Sequence, residues 1–164
     1  NVISQIIYTA DFTQILKREK LVYSKPSGIY LRPEIQTGEK AISFDLELIT
    51  DDRKLEVKYL MPRRSKNTPG NTFEFIRTLS NVARNDSPST LMFEIHEENF
   101  DAKLYRADWV GIADFRPKNN ISLRKNGKML YLDKDAHTPV VIFIFYDEYV
   151  NEIDRIMESI KYER

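Results

Sequence analysis

The residue types best suited to contact a polyanion form a short basic run at residues 63–67, Arg-Arg-Ser-Lys-Asn. Arginine and lysine neutralise phosphates, arginine also makes bidentate contacts with guanine edges, and asparagine addresses adenine. Residues 54–60 alternate as a strand, and residues 72–78 are rich in β-branched and aromatic types. The sequence therefore predicts a basic arm held between two strands.

Two further basic clusters extend this pattern. The first, Lys17, Arg18, Lys20 and Lys25, surrounds Tyr23 with only Glu19 as an acid, and the second contains no acid. The second cluster comprises Arg116, Lys118, Arg124, Lys125 and Lys128. The chain has 25 basic and 25 acidic residues, so this segregation predicts a locally positive, phosphate-binding surface. The alternative is a set of charged loops that only solvate the protein.

A second candidate chemistry uses carboxylates on the hairpin formed by residues 41–49 and 54–60. With Asp51 and Asp52 as its turn, Asp45 would face Lys58 and Glu47 would face Glu56. The order Asp45, Glu56, x, Lys58 is that of Mg²⁺-dependent nucleases, in which carboxylates hold the metal and lysine polarises water. The alternative is a solvated polar strand face.

Residues 71–85 discriminate between these hypotheses. Asn71 and Glu74 match a helical capping box, with Phe73, Ile76 and Leu79 as an apolar stripe. The β-branched and aromatic composition favours a strand instead. A strand here supports the arm, whereas a helix behind the hairpin supports the nuclease.

The remaining elements predict a mostly β protein with few helices. Alternating or apolar runs at 2–9, 28–32, 90–97, 103–110, 121–127, 128–133 and 139–146 indicate strands, with Asn126-Gly127 as a hairpin turn. The last segment, 148–162, predicts an amphipathic helix through Val150, Ile153, Met157 and Ile160. Such a β-rich chain also fits a protein-interaction domain that binds no nucleic acid.

Composition excludes several classes of protein. The chain has no cysteine, which excludes disulfides and thiolate metal sites and fits a cytoplasmic protein. No apolar run approaches the ~20 residues of a membrane span. His96 and His137 lack an evident third ligand. We expect a domain of a larger protein.

The order of these features resembles the prokaryotic DNA-recognition pseudobarrels of restriction endonucleases, which are related to the plant "B three" transcription-factor domain. The matching stretches are IIYTADFTQILKREKL, GIYLRPEI, KLEVKYLMPRRSKNTPGNTFEFIRTL, STLMFEIHE and KLYRADWV. The resemblance implies an open barrel over residues 1–115, followed by an extension at 116–164 that includes the C-terminal helix.

The resemblance also implies a function and a set of contact residues. Two loop arms, at 17–26 and 62–71, would grip the major groove of double-stranded DNA without a cofactor, and a covalently attached catalytic domain would cut it. The implied contact residues are Lys17, Arg18, Lys20, Tyr23, Lys25, Arg63, Arg64, Ser65, Lys66, Asn67 and Asn71.

Overall fold

The computed structural model describes residues 10–26, 28–31, 42–62, 70–85, 92–97 and 100–164. Its helices are α1 (Ala10–Arg18), α2 (Asn71–Val82), α3 (Phe100–Tyr105) and α4 (Glu152–Met157). Its strands are β1 (Leu21–Tyr23), β2 (Tyr30–Leu31), β3 (Leu46–Thr50), β4 (Leu55–Leu60), β5 (Met92–Glu97), β6 (Trp109–Phe115), β7 (Asn126–Asp133), β8 (Val140–Tyr146) and β9 (Ile160–Tyr162). The predicted strand at 2–9 and residues 63–69 of the second arm lie outside the described residues.

Seven of these strands form one antiparallel sheet in the order β2-β3-β4-β8-β7-β6-β5, and β1 pairs separately with β9. The prediction of a mostly β protein is therefore confirmed. Within the described residues the large sheet has two edges, β2 and β5, and does not close on itself.

The middle of the sheet comes from the C-terminal third of the chain. β8 (VVIFIFY) is buried at every position, as expected for an apolar strand covered on both faces. It pairs with β4 and β7, and β7 pairs with β6. The predicted boundary at 115/116 falls between β6 and β7, which are neighbouring strands of this sheet.

Each face of the sheet carries its own apolar core. Val140, Ile142 and Ile144 point to one face, covered by α1, α3, α4 and the β1–β9 pair. Phe143 and Phe145 point to the other, which α2 covers and which we call the α2 face. The alternation of side chains along a strand assigns these residues to opposite faces.

The strand prediction for residues 72–78 is wrong, because this segment is helical in α2. The capping box is also wrong: Gly70 is the N-cap residue, with φ of 123° and no side-chain cap. The buried residues are Phe75, Leu79 and Val82, so Leu79 is the one member of the predicted stripe that is buried. Phe75 packs edge-on against Trp109 and Tyr131, so tertiary burial overrides the local β preference.

Three other local predictions need correction. The predicted helix over 148–162 is limited to α4, and Ile160 belongs to β9, because Ile160–Tyr162 pairs with Leu21–Tyr23. Residues 103–105 end helix α3 rather than begin a strand. Asn126 and Gly127 start β7, paired with Tyr146 and Phe145, and do not form a hairpin turn.

Candidate nucleic-acid interface

The acid-free cluster at 116–125 forms the connection between β6 and β7, which we call the basic loop. It folds over the α2 face, where Ile121 joins the apolar core. Its cations are Arg116, Lys118, Arg124 and Lys125. The side chains of Arg116 and Lys125 are exposed and that of Lys118 is half-buried.

The first half of the basic loop is fixed to the chain that leaves α2. Lys118 N donates to Val82 O at 2.8 Å and Arg84 N donates to Arg116 O at 2.9 Å. These bonds flank an antiparallel bridge between Ala83 and Pro117. Arg84 consequently lies directly opposite Arg116, an unfavourable pairing of like charges unless an anion approaches them.

Arg84 is also held in one orientation. Its Nε donates to Pro117 O at 2.9 Å and its second guanidinium nitrogen donates to Asn119 Oδ1 at 2.5 Å. Both acceptors are neutral. Over the described ranges, no carboxylate forms a salt bridge with Arg84, Arg116, Lys118 or Lys125. Among the described residues, no ion pair neutralises these four cations.

The second half of the basic loop is held by two acids, Glu56 of β4 and Asp147, which follows β8. Ser122 Oγ donates to Glu56 Oε2 at 2.8 Å and accepts from Arg124 N at 3.2 Å. Arg124 lies 3.5 Å from Glu56 Oε1 and 3.2 Å from Asp147 Oδ2. Asp147 Oδ1 accepts from Lys125 N at 3.0 Å. This N–H lowers the pKa of Asp147 and Arg124 adds to the effect, against a smaller desolvation penalty.

The proposed nuclease residues, Asp45, Glu56 and Lys58, form different contacts in the structure. Asp45 Oδ2 accepts from Met61 N at 2.7 Å, and Glu56 binds the basic loop. Lys58 Nζ lies 3.4 Å from Glu47 Oε1, donates to Ile121 O at 3.0 Å and sits over the rings of Phe44 and Phe145. No group of three or more potential metal ligands occurs in the described part of the chain. The Mg²⁺ site stays a prediction.

The hairpin itself is confirmed, but its predicted register is wrong. Glu47 pairs with Lys58, and Glu56 pairs with Ile49. The loop spans residues 51–54 rather than Asp51-Asp52 alone, because Thr50 Oγ1 accepts from Leu55 N at 3.1 Å and donates to Asp52 at 2.7 Å. The register turns the expected Glu47–Glu56 repulsion into a Glu47–Lys58 attraction.

Half of the first predicted arm, residues 17–18 and 21–23, is helix or strand, and the rest is a turn and an irregular segment. Lys17 and Arg18 lie in the last turn of α1, Lys20 follows it with φ of 53°, and Tyr23 lies in β1. The Tyr23 ring packs edge-on against Phe12 and Tyr59 at centroid distances of 5.4 and 5.6 Å. Tyr23 therefore supports the core, while Lys17, Arg18, Lys20 and Lys25 stay exposed.

The first arm and the basic loop lie on opposite faces of the sheet. α1 and β1 contribute Phe12 and Leu21 to one apolar core, whereas Ile121 of the basic loop belongs to the other. In the second arm, Asn71 is the first residue of α2. The other predicted contact residues of this arm lie outside the described residues; they are Arg63, Arg64, Ser65, Lys66 and Asn67.

Sequence reasoning missed two features of this surface. Arg84 was not assigned to any basic cluster, because only the Ala83–Pro117 bridge brings it beside Arg116. Leu123 lies in the basic loop with 83% of its surface exposed. The acid-free composition of 116–128 was the one local signal for this site.

Comparisons with protein-family models, curated proteins and solved structures found no significant match to this chain. Among the described helices, none combines the length and apolar character needed to cross a membrane.

Proposed function

We propose that this chain binds double-stranded DNA through the basic loop and Arg84. The observation that carries the proposal is the opposition of Arg84 and Arg116 across the Ala83–Pro117 bridge, without a carboxylate partner among the described residues. A phosphate between the two guanidinium groups would relieve their repulsion and accept charge-assisted hydrogen bonds. Lys118 and Lys125 extend the positive surface along the same loop.

The sequence resemblance supplies the class of target, and the basic loop supplies the contact surface. In this proposal the chain is the recognition or effector module of a restriction endonuclease, and an attached catalytic domain cleaves the DNA. The grip by two loop arms is left out of this proposal, because Lys17 and Arg18 lie in α1 and Tyr23 lies in β1. Phosphate contacts by the basic loop would set the register of the protein on the duplex.

The number of uncompensated loop cations sets the expected salt dependence. Arg116, Lys118 and Lys125 contact about three phosphates, each of which adds about −0.9 to the slope of log K against log salt. The resulting slope of about −2.7 weakens binding about forty-fold between about 50 and about 200 mM salt. Arg124 is not counted because Glu56 and Asp147 neutralise it.

The test is a fluorescence-anisotropy titration of a duplex pool at several salt concentrations. We expect the triple variant Arg116→Ala/Lys118→Ala/Lys125→Ala to bind weakly and with a slope of only about −0.9, because Arg84 keeps the phosphate that it shares with Arg116. The matched control, Lys103→Ala/Arg155→Ala/Lys161→Ala, removes the same charge from α3, α4 and β9 and should keep the wild-type slope. Equal losses in both variants would show that only net charge matters, and no binding by the wild type at low salt would refute the proposal.

A second candidate function, protein interaction, is favoured by the outer surface of α2. Phe73 and Ile76 are 54% and 44% exposed on this helix, and exposed apolar side chains close together mark interaction sites. Self-association measured by analytical ultracentrifugation, and lost in Phe73→Ser/Ile76→Ser while DNA affinity is kept, would support this candidate.

A further inference from the structure

The tip of the basic loop presents one leucine almost fully to solvent. Leu123 is 83% exposed, whereas the next most exposed large apolar residue in the described ranges, Phe73, is 54% exposed. Its neighbours are not free surface residues: Ser122 is 5% exposed and Arg124 is half-buried. The leucine therefore projects from a chain segment that is itself packed against the sheet.

The backbone on both sides of Leu123 is held by hydrogen bonds. On one side, Ile121 N and Ser122 N both donate to Lys118 O, at 2.9 and 3.1 Å. On the other, Arg124 N donates to Ser122 Oγ and Lys125 N donates to Asp147. A leucine presented by a braced loop loses little conformational freedom when it enters a binding partner, which favours insertion.

Cations flank this leucine on both sides. Lys118 lies five residues before it and Lys125 two residues after it, and neither forms a salt bridge among the described residues. Asn120, also exposed, precedes it. An apolar wedge flanked by cations and amides is the arrangement with which minor-groove proteins unstack a base step and kink the duplex.

We propose that Leu123 is a wedge that inserts between base pairs of duplex DNA from the minor groove while Lys118 and Lys125 contact the flanking phosphates. This inference rests on the proposed function and specifies its mode: the basic loop recognises DNA that bends easily. A single leucine offers too little apolar area for a bilayer anchor, since membrane binding scales with the apolar area buried. The mode also differs from the major-groove grip implied by the resemblance.

The test measures binding and bending separately on the same duplexes. A duplex of about 25 base pairs, labelled at both ends for energy transfer, carries 2-aminopurine at a central TA step, which is among the easily kinked steps. We expect the wild-type protein to shorten the end-to-end distance and to raise the 2-aminopurine fluorescence. Leu123→Ala should lose both signals and bind about ten-fold more weakly, with its salt slope unchanged, and Leu123→Phe should keep the bend.

The matched control is Leu104→Ala, which removes an exposed leucine from α3. It should leave binding and bending unchanged. Salt-dependent binding by the wild type without bending or unstacking would refute the wedge and leave the proposed function standing. No binding at all would refute both the wedge and the proposed function. Leucine-dependent binding to vesicles of anionic phospholipid, with no distortion of the duplex, would overturn the wedge in favour of a membrane contact.

Discussion

Gly111 fixes the distance between α2 and the sheet, and its replacement by alanine should destabilise the fold. A Cβ atom at this position would lie 2.6 Å from Cδ2 and Cε2 of Phe75 and 2.8 Å from the Trp109 ring. Ordinary carbon contacts need about 3.5–4.0 Å. Phe75 is fully buried and Trp109 is 4% exposed, so neither ring can turn out into solvent.

The cost follows from this crowding. Forcing an extra methyl group into a packed core costs typically about 1–3 kcal/mol. For a protein of 150–250 residues each kcal/mol lowers the melting temperature by roughly 2–4 °C, so the whole loss amounts to roughly 2–12 °C. Urea unfolding followed by circular dichroism measures the free energy directly, with Ser80→Ala on the exposed side of α2 as the control.

A second substitution tests the cause. Phe75→Leu removes the ring atoms that the new methyl group would meet, so Gly111→Ala should cost less in that background. The double-mutant cycle should show a favourable coupling of about 0.5–3 kcal/mol, the usual range for contacting residues. An unchanged urea midpoint for Gly111→Ala, or strictly additive effects in the cycle, would refute the close approach of α2 to β6.

Three further predictions address other parts of the molecule. Ser122→Ala should cost about 1–3 kcal/mol, because Glu56 and the Arg124 N–H lose a partner, and should speed amide hydrogen exchange at 122–125; unchanged exchange there would contradict the bracing role. Phe143→Ala should cost about 3–5 kcal/mol, because a fully buried ring leaves a cavity in the central strand, and a urea midpoint close to wild type would argue against that burial. The hydrogen bond to Asp154 raises the pKa of Tyr149 from 10.0 to about 12, so its stabilising effect is complete below about pH 10 and is lost as the pH rises through about 12. Ultraviolet absorbance titration should place the Tyr149 pKa lower in Asp154→Ala, and an unshifted titration would show that this bond is not formed.

The mostly β class was predictable because strand patterns are local. Alternation in 54–60 and the unbroken apolar run of 140–146 each require only two faces and a period of two. The helix at 71–82 was not predictable in the same way, since its composition is compatible with both states. Burial of Phe75 against Trp109 and Tyr131, which are distant in sequence, decides that segment in favour of helix.

The candidate site, like the fold, was only partly predictable from the sequence. The acid-free stretch from Arg116 to Lys128 is visible in the sequence, and so is its positive charge. The sequence does not show which of those cations are paired with acids. In the structure Glu56 and Asp147 neutralise Arg124, and Asp114 Oδ1 lies 3.7 Å from Lys128 Nζ. Arg84 joins the basic loop from another segment of the chain. Charge pairing depends on distances between segments, which composition does not contain.

The sequence by itself determined that this chain is rich in β-strands, contains no thiol chemistry and concentrates cations in a few short segments. Only the tertiary structure decided which of those cation-rich segments forms the candidate binding surface. It folds residues 17–18 and 21–23 of the first arm into a helix and a strand, and it places β7 and β8 in the middle of the sheet. It also sets Arg84 opposite Arg116 and exposes Leu123 in the same loop as Arg116. The physical reason is that local propensity acts over a few residues, whereas burial and charge opposition act between segments that meet only after folding.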